Sequence, residues 1–287
     1  MLRSNSVMML KKVEIAVLAD NRSKNGRFKS EHGLSFWVRA GSFCFLFDTG
    51  KGEVLPVNSK RMKIPLRACR AVVLSHGHYD HTGGLDFVLD ASPRARIYFH
   101  PGAVKERYGV KAGFLPKFIG MPPLTARRLK KLKKRIQWVR QPVKLTKGIW
   151  MTGPIPRETP FEDTGGRFFD DFDCKIKDRL TDDQAVWIET DRGLIVLLGC
   201  AHSGVVNTLG YISKLTGGVP VRAVLGGMHL LNASAARFRK TVYVLKREKM
   251  CQIIPGHCTG DWGMERFRKI FKNRYSPLAS GMRIRFK

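Results

Sequence analysis

Three imidazoles and a carboxylate fall within the stretch SHGHYDHTGG, residues 75–84: His76, His78, Asp80 and His81. Nitrogen and oxygen donors together suit borderline-soft divalent ions, zinc first, with manganese or iron as alternatives. The cluster directly follows AVVL, residues 71–74, a short apolar run that reads as a buried strand. A turn leaving such a strand can aim alternate residues, His76 and His78, at one ion. Asp80 and His81, opening a following helix, then point at a second. A lone histidine is usually a packed side chain, whereas four donors at one strand end mark a metal centre.

The elements that must position this loop are legible around it. Residues 13–18 read as a strand and the polar stretch 20–30 as a loop. A hairpin follows, LSFWVRA turning near Ala40 and Gly41 into SFCFLFD. In its second arm Phe43, Phe45 and Phe47 share one face and Cys44 and Leu46 the other, so the strand is covered on both sides. It ends in the turn signal Asp48-Thr49-Gly50, and another apolar strand ends in small residues at 193–201.

Two pairs of segments echo one another. RACRAVVLSHGH (67–78) resembles VPVRAVLGGMHL (219–230), and SFCFLFDTG (42–50) resembles GLIVLLGCA (193–201) in pattern. One reading is two β-rich halves face to face, helices outside and loop tips converging at one edge; the other is chance similarity between buried strands.

The 287 residues leave room for one large domain or two ordinary ones, and 43% hydrophobic with 26% charged residues excludes a disordered or coiled-coil chain. Fifty-two Lys+Arg against 23 Asp+Glu give +29, an attraction for nucleic acid, an anionic membrane surface or phosphorylated small molecules. Part of that charge lies in TARRLKKLKKRIQWV, read as an amphipathic helix capped by Thr125, with Leu129, Leu132, Ile136 and Val139 on one face and seven basic residues between 127 and 135. Its basic face is either an ordinary solvated surface or a polyanion contact. Upstream, Gly109, Gly113, Gly120, Pro122 and Pro123 mark a loop able to lie over a site. The six cysteines form no CxxC pair, and the apolar patch at 7–10 is too short for a signal peptide. No run reaches the roughly 18 apolar residues of a membrane span. A soluble protein of a reducing cytoplasm is the expectation.

HxHxDH on the loop after a buried strand resembles the signature of the metallo-β-lactamase superfamily. Later landmarks stand in the matching order: LFDTG (46–50), GCAHSG (199–204) and PGHCTG (255–260). The resemblance implies an α/β fold, a four-layer αβ/βα sandwich of two mixed β-sheets covered by helices, as a single domain over 1–287 with a basic helical insertion at about 103–140. It also implies that His76, His78 and His202 hold one metal and Asp80, His81 and His257 a second, with Asp48 steadying both. One position departs: where the superfamily usually has an Asp bridging both ions, this chain offers His229. A neutral imidazole cannot bridge two cations, so His229 binds one metal, contacts substrate or donates to a developing charge.

The finer pattern EHGLSF, LSHGHYDHTGGL, TGPIPRETPFE, DDQA, GCAHSGVVNTL, GGMHL and HCTG resembles the branch containing dihydropterin-6-ylmethyl-(ribofuranosyl)aminobenzene 5′-phosphate synthase and related metal-dependent hydrolases. That synthase reaction joins a pterin diphosphate to a phosphorylated arylamine and releases diphosphate. The expected activity is therefore metal-dependent chemistry on a phosphorylated small molecule, as phosphoesterase, diphosphate hydrolase or pterin transferase. Asp80 and His229 are the candidate catalytic groups, and Arg157 is the candidate phosphate contact, its planar fork suiting that anion, against an ordinary surface-loop role. Cys200 and Cys258 flank metal motifs and read as buried thiols, because histidines already fill the ligand positions. The alternative from another class is a nuclease or nucleic-acid-binding protein that uses the basic surface.

Overall fold

The computed structural model describes residues 9–248 and 250–287; Val7 and Met8 of the short apolar start lie outside them. One mixed sheet has seven strands, ordered Arg283–Phe286, Val13–Ala19, Ser35–Ala40, Phe43–Phe47, Ala71–Val73, Arg96–Phe99 and Ile136–Trp138. The second has six, ordered Gln252–Gly256, Val221–Gly227, Gly193–Leu198, Ala185–Thr190, Ile149–Met151 and Val143–Thr146. Each sheet contains an antiparallel hairpin whose second strand leads into two parallel neighbours. In the first sheet these are Ala71–Val73 and Arg96–Phe99; in the second, Val221–Gly227 and Gln252–Gly256. The segments that echo in sequence occupy the same places in these two modules, so the echo is topological.

Alternation along the strands builds the layers. Ile15, Val17, Phe45 and Phe47 point into a central core shared with Ile195, Leu197 and Leu225 of the second sheet. Their neighbours Ala16, Leu18, Cys44 and Leu46 point outward, beneath Leu55, Val88 and Leu129 from helices Leu55–Arg61, Leu85–Ala91 and Pro123–Lys131. On the far side Val196 and Val224 pack under Leu209, Leu245 and Phe267 of helices Val205–Thr216, Ala235–Arg247 and Gly260–Phe271. The result is the four-layer αβ/βα sandwich. Fully burying one such Phe or Leu is worth about 1.5–3 kcal/mol. The first hairpin turns tightly because Gly41 adopts φ +60°, a region that glycine enters without a Cβ penalty. Among the described residues no helix is long and apolar enough to cross a membrane.

The basic segment departs from its helical pattern. The helix is only Pro123–Lys131, entered from Pro122; Thr125 lies inside its first turn and donates to Asp86 Oδ2 at 2.6 Å instead of capping it. After a short 3-10 turn, Lys133–Arg135, the chain enters strand Ile136–Trp138 and pairs in parallel with Arg96–Phe99. The sheet edge overrides the 3.6-residue period, since Ile136 packs against the outer core and Val139 reaches the central one. Arg128 pairs with Asp86 and Asp90, and Arg135 donates to the carbonyls of Ser92 and Ala95. Arg127, Lys130, Lys131, Lys133 and Lys134 remain exposed. The glycine-rich loop upstream is also more ordered than its composition implies. It supplies Tyr108–Gly109 and Lys117–Phe118 to a small sheet completed by Phe168–Phe169, a partner too distant in sequence for local pattern to reveal.

Candidate metal centre

The candidate donors lie just beyond the C-terminal ends of strands, where open α/β sheets bind their ligands. Asp48 follows Phe43–Phe47, the pair His76 and His78 follows Ala71–Val73, and His202 follows Gly193–Leu198; His229 and His257 follow the next two strands of the second sheet. Backbone strain gathers at these tips. Asp48 (φ 58°), Ala201 (52°), His229 (45°) and His257 (48°) are all left-handed, which costs a non-glycine residue on the order of 1–3 kcal/mol.

His76, His78 and His202 converge. His78 Nδ1 lies 3.0 Å from His76 Nε2 and 3.2 Å from His202 Nε2. The far nitrogens fix the tautomers. The Ser75 hydroxyl gives its proton to Asp48 Oδ2 at 2.7 Å and so accepts from His76 Nδ1 at 2.9 Å, while His202 Nδ1 donates to the Thr164 carbonyl at 2.9 Å. The Nε2 lone pairs of both rings are thereby turned toward His78. Burial pushes His78 down to about 3, helped by the Arg107 charge, and pushes His76 and His202 well below the ordinary range. All three are neutral donors at neutral pH.

Asp80, His81 and His257 form an adjoining set. His81 Nε2 is 3.2 Å from His257 Nε2, and Asp80 Oδ2 is 3.3 Å from His257 Nε2 and 3.9 Å from His81 Nε2. His81 Nδ1 faces Asp48 Oδ2 at 2.7 Å, and His257 Nδ1 donates to Asn21 Oδ1 at 2.9 Å. Burial opposes charge on His81, but Asp48 and Asp80 outweigh it and hold that ring up at about 9. Burial also acts to raise Asp80, yet His81, His257 and His32 prevail and keep its carboxyl well below the carboxylate range. In the metal-free chain one imidazolium thus supplies the positive charge this acidic pair requires. A divalent ion fits the same place and displaces that proton on binding. Buried nitrogens facing one another at 3.0–3.2 Å, with the rings of His76, His81, His202 and His257 held through their other nitrogens, fit a metal of this class.

The neighbouring carboxylates Asp182 and Asp183 brace one histidine loop each. Asp182 accepts from Gly77 N, between His76 and His78, at 2.9 Å and from buried Arg107 at 2.6 and 2.9 Å; Arg107 Nε also meets Asp178 at 2.8 Å. Asp183 accepts from Ser203 N, beside His202, at 2.7 Å. Arg157 donates from Nη1 to the His202 carbonyl (2.8 Å) and from Nη2 to the Arg179 carbonyl (3.0 Å), so it braces the second loop while its other N–H groups make no hydrogen bond among the described residues. His229 is half-buried, its ring centroid 4.3 Å from that of His202, and its Nδ1 is buried with no hydrogen-bond partner among the described residues. Phe168 of the small sheet caps the centre, 5.2 Å from His78 and 5.4 Å from His202.

Besides these bracing groups, three more contributors escape the sequence reading. His32 Nε2 sits 3.1 Å from Asp80 Oδ2; it lies within EHGLSF, but a single exposed histidine carries no spacing signal. Glu31 accepts from the backbone of Lys51, Gly52, Glu53 and Val54 at 2.9–3.2 Å, holding the chain after Asp48. Cys200, read as an inert thiol, places its Sγ 3.1 Å from His81 Nε2, inside the donor cluster.

A buried cage of imidazoles and a carboxylate at the carboxyl edges of two facing sheets defines a metal-dependent enzyme of the metallo-β-lactamase type. Residues 31–210 match the metallo-beta-lactamase superfamily, and the chain belongs to it; divalent-metal binding is a property of that superfamily. Over 96% of this chain and 97% of the relative, it is 32% identical to the 7,8-dihydropterin-6-methyl-4-(beta-D-ribofuranosyl)-aminobenzene-5'-phosphate synthase of Methanocaldococcus jannaschii. A solved metal-dependent hydrolase of the beta-lactamase superfamily is 29% identical with a TM-score of 0.79, covering 95% of this chain and 98% of that one. A diphosphatase from the PhnP family shares the fold at 14% identity and TM-score 0.57, covering 97% and 98%.

Proposed function

We propose that this enzyme transfers a dihydropterin from its diphosphate to a ribofuranosylaminobenzene 5′-phosphate, releasing diphosphate, with zinc as its cation. The observation that carries this reading is the convergence of His76, His78, Asp80, His81, His202 and His257 beneath Phe168. It is supported by a synthase relative aligned over nearly the whole chain. In the transfer a C–N bond forms between the arylamine and the pterin methylene, the C–O bond to diphosphate breaks, and the amine loses a proton. Divalent ions held in those two sets would supply Lewis acidity toward the diphosphate oxygens.

The chain's own side chains do the rest. His229 is the group for proton movement at the departing or attacking atom, because its half-buried ring lies beside that of His202, 4.3 Å between centroids. Asp80, ionised and shared between His32 and His257, serves as a ligand; so strongly acidic a carboxyl is a poor proton acceptor at neutral pH. Phe168 offers a flat face to an aromatic substrate, and the free N–H groups of Arg157 suit a phosphate. The exposed basic residues of 127–134 raise the local concentration of any anion, an effect that falls with salt.

The solved hydrolase relative favours a second reading, in which water replaces the arylamine and a phosphate ester or diphosphate is cleaved. Metal-loaded protein is incubated with dihydropterin diphosphate, with and without the arylamine phosphate, and diphosphate and coupled product are measured. Release that requires the arylamine supports transfer; release without it makes the enzyme a hydrolase. Release in neither case, on this donor or on a panel of phosphoesters, defeats both readings.

A further inference from the structure

The two nitrogen sets lie side by side, so two divalent ions held in them would repel unless an anionic donor stood between. Among the described residues the Asp80 carboxylate is grouped with His32 and His257, and not with His76 or His202. One atom is common to both sets. Cys200 Sγ belongs with His76 and His202 in one group of donors lying within 4.8 Å of one another, and with His81 and His257 in another. A third such group joins it to His229 and Cys258. Cys200 is 3% exposed, too deep for a solvent-facing role.

The backbone around Cys200 is tightly packed. A Cβ on Gly227 would fall 2.6 Å from Cys258 Sγ and 3.3 Å from Cys200 Cα, and one on Gly199 would fall 2.1 Å from Ser75 Oγ. Neither position tolerates a side chain while the cysteines and Ser75 hold their places. Cys258 is less suited than Cys200, because its thiol is directed at the Cys200 carbonyl at 3.6 Å.

We propose that Cys200 is a metal ligand, its thiolate shared between the two nitrogen sets. The inference rests on the metal-dependent reading of this site and goes beyond it by adding a sulfur donor. On binding, the thiol proton leaves to solvent and the sulfur donates lone pairs to both ions; nothing is oxidised or reduced. Thiolate is a soft donor, so the arrangement favours zinc over manganese or magnesium.

Zinc K-edge X-ray absorption on the full, zinc-loaded chain tests this directly. The expected spectrum contains a sulfur scatterer at about 2.3 Å beside nitrogen and oxygen at about 2.0–2.1 Å. The sulfur shell should persist in Cys258→Ala and vanish in Cys200→Ala, and zinc retained against dilute chelator should fall in Cys200→Ala from about two ions per chain to about one. Bound zinc with only nitrogen and oxygen neighbours overturns the proposal and leaves the metal-enzyme reading intact. A sulfur shell that survives Cys200→Ala and disappears in Cys258→Ala overturns it in favour of Cys258. A chain that binds no divalent metal overturns both. The wild-type spectrum decides even if a variant fails to fold.

Discussion

The two hairpin-and-parallel-strand modules share a topology and differ at their tips. The first crowds His76, His78, Asp80 and His81 into one loop and the helical turn Tyr79–Thr82 that follows it; the second spreads His202, His229 and His257 over three successive strand ends. At the equivalent hairpin ends stand Asp48 and Gly199, and a Cβ on Gly199 would approach Asp48 Oδ2 to 3.2 Å. Where the two tips meet there is space for one side chain. The strand interiors can repeat because any apolar set of the right volume fills a core. The tips cannot, because they share a single cavity and must divide its functions.

That division ranks the donors. His78→Ala removes the nitrogen facing both His76 and His202, so it should strip metal from the first set and lower turnover by more than the 10–100-fold typical of losing an outer-shell partner. His257→Ala should leave that metal in place and cost less. Metal analysis after dialysis against dilute chelator, with turnover on the same samples, checks both. Equal metal loss in the two variants would break the asymmetry between halves. Next in size is His229→Ala, expected to lower turnover by about 10²–10⁴-fold with metal content unchanged. Metal lost together with activity would make His229 a ligand and move the second half's chemistry from proton transfer to coordination.

The bracing of the two halves can be broken separately. Asp182→Ala leaves Arg107, 1% exposed, as a buried charge short of its principal partner and frees Gly77 N. The expected loss is about 3–5 kcal/mol in denaturant unfolding. Replacing Arg107→Met and Asp182→Leu together with Asp178→Asn, the other buried partner of Arg107, should recover much of it, because no charge is then stranded. If the single variant unfolds like the wild type, the buried pair does not hold the first loop.

Local signals carried much of this molecule. The alternating Phe43, Phe45 and Phe47, the turn at Gly41 and the donor loop at 75–84 are all short-range patterns, and they mark the first hairpin and its metal loop directly. What escaped depends on partners far apart in the chain. Ile136 and Val139 keep a helical period yet join a sheet edge, because Arg96–Phe99 offers a free strand to pair with. His32 approaches Asp80 only once the loop at 20–34 folds against the donor loop. Cys200 reads as a spare thiol because the histidine motifs already account for a full ligand set; its distances to His81 and the surrounding donors place it inside the cluster.

The smallest effect separates the two adjacent carboxylates by the sign of their response to pH. Asp183 accepts from Ser203 N through one oxygen, while the other is buried without a hydrogen-bond partner among the described residues, and burial pushes its carboxyl up to about 6. Between its unfolded value of 3.8 and about 6, the folded chain holds a proton at this site that the unfolded chain has released. Its contribution to stability is therefore present at low pH and lost as pH rises through about 6. Asp182 behaves oppositely: burial acts to raise it, the Arg107 charge prevails and lowers it, and its contribution is lost as pH falls. Asp183→Asn mimics the protonated form, so relative to wild type it should gain stability on the order of 1–2 kcal/mol between pH 4.5 and pH 7. Asp182→Asn should run the other way, its deficit greatest at neutral pH. Denaturant unfolding of the three proteins across that range is the measurement. Curves for wild type and Asp183→Asn that stay parallel would mean that Asp183 is solvated in the folded chain, and that the loop carrying His202 is held from its other side, by Arg157 and Thr164.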